Sequence, residues 1–241
     1  MSFATKTDPF ALTGSGNPGD GILECVSVTD NASASVAEAH DENGTLIAHE
    51  VFGEQIAPSA EYKVKKSGSI SDVKLGNVTT YDSKRVVLTN LTVNTSAGGE
   101  TTVSASGEQV EASTDGTCPA QFELPDIPVG VCHHAKALFS AFTLSGTGCY
   151  LQSANYTFAC SVGKATKDGV PIAHGVYEAY AEAQVEIIQT GSADPTITVP
   201  QNSNWFISSP LSKTNPDADY PTWSATLRMH LEKDAESQSN P

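Results

Sequence analysis

The residues best suited to bind a metal are Cys118, Cys132, His133 and His134, near the middle of the chain. Thiolate and imidazole groups are the usual ligands of zinc, but a structural site normally combines two close ligand pairs. Cys118 has no second ligand beside it. The adjacent histidines would point to opposite faces of a strand or about 100° apart on a helix. The spacing therefore predicts no metal site.

Catalytic signatures are also missing from the sequence. No G-x-S-x-G elbow frames a serine, and there is no P-loop, no strand-linked G-x-G-x-x-G and no EF-hand loop. Asp217 and Asp219 in "NPDADYP" could hold calcium, but a solvated turn is the simpler interpretation. We therefore expect a protein that is not an enzyme, with no catalytic residue and no cofactor.

Two histidines, His49 and His174, lie in a repeated segment. "NGTLIAHEVFG" at 43–53 returns as "DGVPIAHGVYE" at 168–178, with I-A-H-x-V followed by an aromatic in both. Each segment follows a turn-forming cluster that ends in glycine, and alternation in a strand places each histidine on a face with branched aliphatic residues. This pattern favours histidines that pack in a core or at an interface over catalytic ones.

The repeat extends in both directions from the histidines. "FALTGSG" at 10–16 matches "FTLSGTG" at 142–148, and "VLTNLTVNTSAGGETTVSAS" at 87–106 matches "ISSPLSKTNPDADYPTWSAT" at 207–226, which aligns Val103 with Trp223. The three matches keep their order while their spacing changes only by small steps. Such a pattern is typical of a tandem duplication with loop insertions.

The composition and the repeat together predict an all-β fold. Charged residues make up only 17% of the chain, and Thr, Ser, Val and Gly recur in short alternating runs. We expect two tandem duplicated domains, sandwich-like or barrel-like, with at most one or two short helices, one of them at 132–142. The first domain would span 1–111, an extended connector 112–130, and the second domain 131–241, ending in a polar tail. We expect the two copies to superpose with His49 over His174.

The charge balance limits the classes of partner. A net charge of −15, from 28 acidic and 13 basic residues, argues against tight binding to nucleic acid, which needs clustered Lys and Arg. The opening "MSFATKTDPFALTGSGNPGDG" lacks the pattern of a secretory signal, and no apolar stretch approaches the roughly 20 residues of a membrane span. These features predict a soluble chain made in a cytoplasm, with no membrane contact and with free thiols.

Short Thr/Ser/Gly-rich strands such as "VVLTNLTVNTSAGGETTVSASGEQV" at 86–110, together with the acidic balance and the unprocessed start, resemble bacteriophage virion proteins, particularly tail-tube-type β proteins. The likeness covers the general character of both copies. It implies a structural subunit that self-associates into a ring or tube with other virion proteins, around a channel through which double-stranded DNA passes without tight binding. In that family some proteins resemble two fused tube domains, so that three chains replace six.

The location implied by this resemblance is the virion, assembled in the host cytoplasm. Two other functions remain open: a capsid decoration or neck protein, and a carbohydrate- or surface-binding β-sandwich module. The acidic charge either lines the channel or keeps the protein soluble.

Overall fold

The computed structural model describes residues 7–97, 100–111, 121–130, 141–201, 204–214 and 220–232. These residues form strands, turns and loops, with no helix among them, which confirms the all-β prediction. Most of the helix predicted at 132–142 lies outside the described residues, and its last two residues, Ala141 and Phe142, are buried and non-helical. The strands of the described residues are β1 (Leu23–His40), β2 (Leu46–Val64), β3 (Gly68–Ile70), β4 (Lys74–Leu75), β5 (Val78–Tyr81), β6 (Lys84–Ser96), β7 (Thr102–Gln109), β8 (Phe122–Glu123), β9 (Ile127–Val129), β10 (Thr143–Ser145), β11 (Cys149–Lys167), β12 (Val170–Gln189), β13 (Thr196–Thr198), β14 (Phe206–Lys213) and β15 (Thr222–His230).

Nine of these strands form one antiparallel sheet. Its order is β1-β2-β7-β6-β11-β12-β15-β14, and β5 pairs with the beginning of β6. Three small two-stranded sheets, β10-β13, β3-β9 and β4-β8, complete the fold. The part of the predicted connector that the structure describes forms β8 and β9, which pair with β4 and β3 of the first half.

Two long hairpins, β1-β2 and β11-β12, dominate the sheet, and each has its own turn chemistry. In the first turn, Asp41 Oδ1 accepts hydrogen bonds from the backbone N–H groups of Asn43 and Thr45, and Gly44 has a φ of 78°. In the second, Asp168 and Gly169 both have positive φ, as a tight two-residue hairpin turn requires. Local sequence therefore determines where both hairpins reverse.

The core lies on one face of the sheet and follows the predicted period of two. In β6, Leu91 and Val93 are buried while Thr92 between them is half-buried. Tyr156 and Phe158 of β11 continue the buried row across the neighbouring strand. Two sheet halves thus share one continuous core at the centre of the molecule.

The two halves have the same strand order. In the first half the hairpin β1-β2 is followed across the sheet by β7 and β6, and in the second the hairpin β11-β12 is followed by β15 and β14. Tyr62 lies opposite Val103 in the first half, and Ile187 lies opposite Trp223 in the second.

The hairpins also share their irregularities. Register shifts occur between Cys25 and Ser27, Ser33 and Ser35, and Ala39 and His40 in the first hairpin, and between Leu151 and Ser153, Ala159 and Ser161, and Ala165 and Thr166 in the second. The spacing of the three shifts is the same in both. This equivalence supports the predicted duplication, which stays a prediction, and the halves join in one sheet through β6 and β11.

Candidate functional site

The residues that the sequence offered for metal chemistry, Cys118, Cys132, His133 and His134, lie outside the described residues, as do Asp217 and Asp219. Within the described ranges, no group of three or more His, Cys, Asp and Glu side chains could hold a metal ion. The features that remain to be explained are the joint between the halves, the open sheet edges and the exposed hairpins.

The two repeated histidines have different surroundings. His49 is exposed on β2 beside Ile47 and Val51, which are 66% and 51% exposed. The side chain of His174 is only 1% exposed, and its Nδ1 lies 2.5 Å from the carboxylate of Glu111. His174 is therefore buried, as the expectation of a core or interface position allows. His49 is exposed in the described part of the chain, so it is not a core residue there, and an interface position for it stays a prediction.

Polar contacts hold the second half against the first. Lys164 on β11 contacts the carboxylate of Glu108 on β7 at 2.5 Å and donates to the carbonyl of Gln109 at 2.9 Å. Glu111 contacts His174 and, at 3.5 Å, Arg85. The internal joint therefore carries a cluster of charged groups at one end.

The turn of the second hairpin rests on β2 of the first. The side chain of Gln55 donates to the carbonyl of Gly169 at 3.1 Å. Gly53 has a φ of 65°, and a Cβ on it would lie 2.9 Å from the Cα of Gly169. Only glycine permits both this backbone conformation and this close approach.

Strand pairing forms the rest of the joint. β6 and β11 pair antiparallel from Ser96 opposite Ser153 to Asn90 opposite Ala159. Val93 faces Tyr156, and both are fully buried. The joint is therefore an apolar row continuous with the core, and it is held by backbone hydrogen bonds.

The sheet ends in two open edges, β1 of the first half and β14 of the second, and neither has a second partner strand among the described residues. Residues 29–34 of β1 and nearly all of β14 are exposed. An open edge presents unpaired N–H and C=O groups to a further strand. Proteins limit wrong pairing at such edges with charges, bulges and proline, and here the edges carry Asp30, Glu38, Pro210 and Lys213.

Exposed apolar side chains continue along both hairpins. Residues between 42% and 66% exposed include Val36, Leu46, Ile47 and Val51 on the first hairpin, Val170, Ile172 and Tyr177 on the second, and Phe206 and Ile207 on β14. Exposed apolar side chains that form a contiguous patch are typical of a surface that contacts another protein.

Beside the β1 edge lies a cavity of about 300 Å³ lined by Thr7, Val28, Tyr81 and Asp82. The hydroxyl of Tyr81 donates to Asp30 Oδ2 at 3.0 Å. Burial, the hydrogen bond to Asp30 and nearby carboxylates raise the pKa of Tyr81. The cavity is therefore rimmed by negative charge at the sheet edge.

No protein-family model matches this chain, and no curated protein matches it by sequence. In the described part of the chain, no helix is long and apolar enough to cross a membrane.

Proposed function

We propose that this chain is a structural subunit of a virus particle, and specifically a phage tail tube protein or an adjacent tail component that assembles into rings around a DNA channel. The observation that carries the proposal is the pair of open edges. The first half offers β1, which is equivalent to β11, and the second half offers β14, which is equivalent to β6. β6 and β11 already pair inside the chain, so a second copy can extend the sheet in the same way.

Repetition of such a contact produces either a closed ring or an open filament. The contact is head-to-tail, because β14 of one copy meets β1 of the next, and a head-to-tail contact closes when the rotation between copies divides a full turn. The internal β6-β11 joint shows the strand pairing that such a contact would use. A ring of a few chains would then contain twice as many sheet halves.

The exposed hairpins support assembly over a role as an isolated module. Their apolar side chains face solvent on both hairpins, and burial of this area against neighbouring rings or other virion proteins would stabilise a tube by about 25 cal/mol per Å². Association of this kind needs no catalytic group and no cofactor.

The acidic balance suits a channel through which DNA slides. A polyanion passes a negative wall without forming phosphate contacts, because like charges repel and few Lys or Arg are present to hold it. The net charge of −15 per chain would become a dense negative field when copies surround one axis.

Size-exclusion chromatography with light scattering, followed by negative-stain imaging at high protein concentration, tests the proposal. We expect rings or short tubes with a central channel. A protein that stays monomeric at high concentration and binds glycans would instead support a carbohydrate-binding module and overturn the assembly proposal.

A further inference from the structure

We infer that β14 of one copy pairs with β1 of a second copy in the register of the internal β6-β11 joint, so that two charge pairs join the copies. In this register Lys213 lies opposite the partner's Asp30. The side chain of Arg228 on β15 reaches the partner's Glu38 across β14, as Glu108 on β7 meets Lys164 across β6. The inference rests on the proposed function for the existence of a ring, and it adds the residues that join the copies.

The position of Lys213 follows from its neighbour on β15. Val93 of β6 lies opposite Val103, and Lys213 of β14 lies opposite Trp223. Val103 and Trp223 are themselves equivalent, because they face Tyr62 and Ile187 at matching places on β2 and β12. Lys213 therefore occupies the place in the second half that Val93 occupies in the first.

The position of Asp30 follows from the register shifts of the hairpins. The shift between Cys25 and Ser27 matches the shift between Leu151 and Ser153. Asp30 lies three residues after Ser27 in β1, and Tyr156 lies three residues after Ser153 in β11. Asp30 therefore occupies the place of Tyr156.

In the internal joint Val93 faces Tyr156, so the same register between copies brings Lys213 opposite the partner's Asp30. The ammonium group of Lys213 now lies 5.5 Å from the centre of the Trp223 ring, at the open edge. Asp30 is exposed beside the acidic cavity that Asp82 helps to line. A lysine from one copy would thus enter a negatively charged edge of the next.

The same register predicts a second pair at the far end of the joint. Inside the chain, Lys164 contacts Glu108. Glu38 is the equivalent of Lys164, because Glu38 faces His49 as Lys164 faces His174.

The equivalent of Glu108 on β15 is Arg228. Its guanidinium lies 4.1 Å from the centre of the Tyr180 ring, and its Nε is buried without a hydrogen-bond partner among the described residues. The internal pair of Lys164 with Glu108 therefore has a counterpart between copies in which the signs are exchanged. Glu38 takes the place of Lys164, and Arg228 takes the place of Glu108. Two attractive pairs at matched positions are unexpected in a chain with only 13 basic residues against 28 acidic ones.

The charge pairs would set the register more than they would strengthen the joint. Exposed ion pairs contribute little free energy, whereas like charges placed opposite each other across a joint weaken it. An apolar pair at this edge, like Val93 with Tyr156, would leave apolar side chains exposed on every free subunit, where they favour unspecific strand pairing. Charged side chains reduce such pairing, and they favour only an edge with opposite charges at the matching positions.

Charge reversal tests the pairing. We expect Lys213→Glu and Asp30→Lys each to weaken association about tenfold, because each brings like charges together, and the combination of both to restore it to about the wild-type value. Arg228→Glu and Glu38→Arg should behave in the same way. Lys66→Glu is the matched control for Lys213→Glu and Arg228→Glu, since it makes the same change in net charge at an exposed site after β2.

Cysteine cross-linking tests the register directly. Thr92 faces Thr157 in the internal joint, so Ser212 should face the partner's Asn31. We expect the Ser212→Cys/Asn31→Cys double variant to form a ladder of disulfide-linked chains under mild oxidation. Ser212→Cys/Ala32→Cys, displaced by one residue and therefore on the opposite face, should not.

The outcomes separate the two proposals. If the wild-type protein forms no ring at any concentration, the proposed function fails. If rings form, but the combined reversals do not restore association and the two cysteine variants cross-link equally, the register inferred here is overturned while the proposed function stands. Circular dichroism of each variant confirms that loss of association is not loss of folding.

Discussion

The side chain of Tyr62 links β2 to the loop before β1. Its side chain is 1% exposed, and its hydroxyl donates to Asp8 Oδ1 at 2.6 Å. Asp8 also accepts hydrogen bonds from backbone N–H groups of the loop before β1, at Phe10, Leu12 and Thr13. We expect Tyr62→Phe to lower the free energy of unfolding by about 1–2 kcal/mol, because it leaves the half-buried carboxylate of Asp8 with one hydrogen-bond partner fewer. Urea denaturation measures the loss, and Tyr150→Phe, at a tyrosine that is 60% exposed, should change almost nothing.

The same tyrosine predicts how stability depends on pH. Burial, and then the charge of Asp8, raise the pKa of Tyr62 above its ordinary value of 10.0. A raised pKa in the folded state contributes stability that is fully present below about pH 10 and is lost as the unfolded chain begins to ionise above it. We expect wild-type stability to fall between pH 10 and pH 11.5, and to fall less steeply in Tyr62→Phe. Equal slopes in the two proteins would contradict this assignment.

Cys160 should be a slow nucleophile in the folded protein. Burial and the nearby charge of Glu108 raise the pKa of its thiol to about 12. Because the thiolate is the reactive form, we expect alkylation of Cys160 by iodoacetamide at pH 8 to be at least about tenfold slower in the folded protein than in urea. Peptide mass spectrometry over a time course measures both rates, and similar rates would show that the site opens readily.

The sequence predicted the equivalence of His49 and His174 but not their difference in burial. Alternation places each histidine on a face of its strand, and this is a local property. The buried His174 contacts Glu111 of the other half, and no local pattern reveals this contact. The alignment of 87–106 with 207–226 already relates Lys213 to Val93. The proposed roles of Asp30, Glu38 and Arg228 follow only from the strand pairing, which the sequence alone does not reveal.

At the scale of elements, the contact between the second hairpin and β2 can be isolated with two glycines. Gly53 and Gly44 both have positive φ, but only Gly53 lies against another backbone, that of Gly169, whereas a Cβ on Gly44 would meet nothing within 4 Å. Alanine should cost about 1 kcal/mol at either site through backbone strain. Gly53→Ala should cost about 1–3 kcal/mol more, because the hairpin turn must move away. Urea unfolding gives the free energy of unfolding of each variant, and the difference between the two values measures the contribution of the contact between the hairpin turn and β2. Equal losses in the two variants would show that this contact contributes nothing to stability.

Strands were more predictable than their partners. The run "VVLTNLTVNT" was predicted to be strand and lies in β6, and the turn residues identified the reversal of both hairpins. The pairing of β6 with β11 was not predictable in this way, because it joins residues far apart in sequence through backbone groups common to all residues. The strands of the small sheets β3-β9 and β4-β8 are too short to show a period-two pattern in the sequence.

At the scale of the whole molecule, the sequence repeat carried more information than composition did. Composition indicated only the all-β class, while the ordered matches indicated two similar halves. The shared strand order and the shared register shifts agree with that expectation. The halves do not form separate sheets, because β6 of the first completes its pairing with β11 of the second. A chain built in this way makes one joint internally, and in our proposal its two open edges make the same joint with neighbouring copies.

Salt should promote assembly of the whole molecule. Each chain carries a net charge of −15, so copies repel one another over the Debye length, which is about 30 Å at 0.01 M salt and about 8 Å at 0.15 M. The proposed pairs of Lys213 with Asp30 and Arg228 with Glu38 act at contact distance and are screened less than this general repulsion. We therefore expect light scattering at a fixed protein concentration to show more assembly at 0.15 M than at 0.01 M salt. The Lys213→Glu/Asp30→Lys protein has the same net charge and should show the same dependence on salt. Assembly that declines steadily as salt is added would contradict this expectation, because it would show that no repulsion between copies is relieved by salt. An assembled ring whose inner wall is neutral or basic would contradict an acidic channel directly.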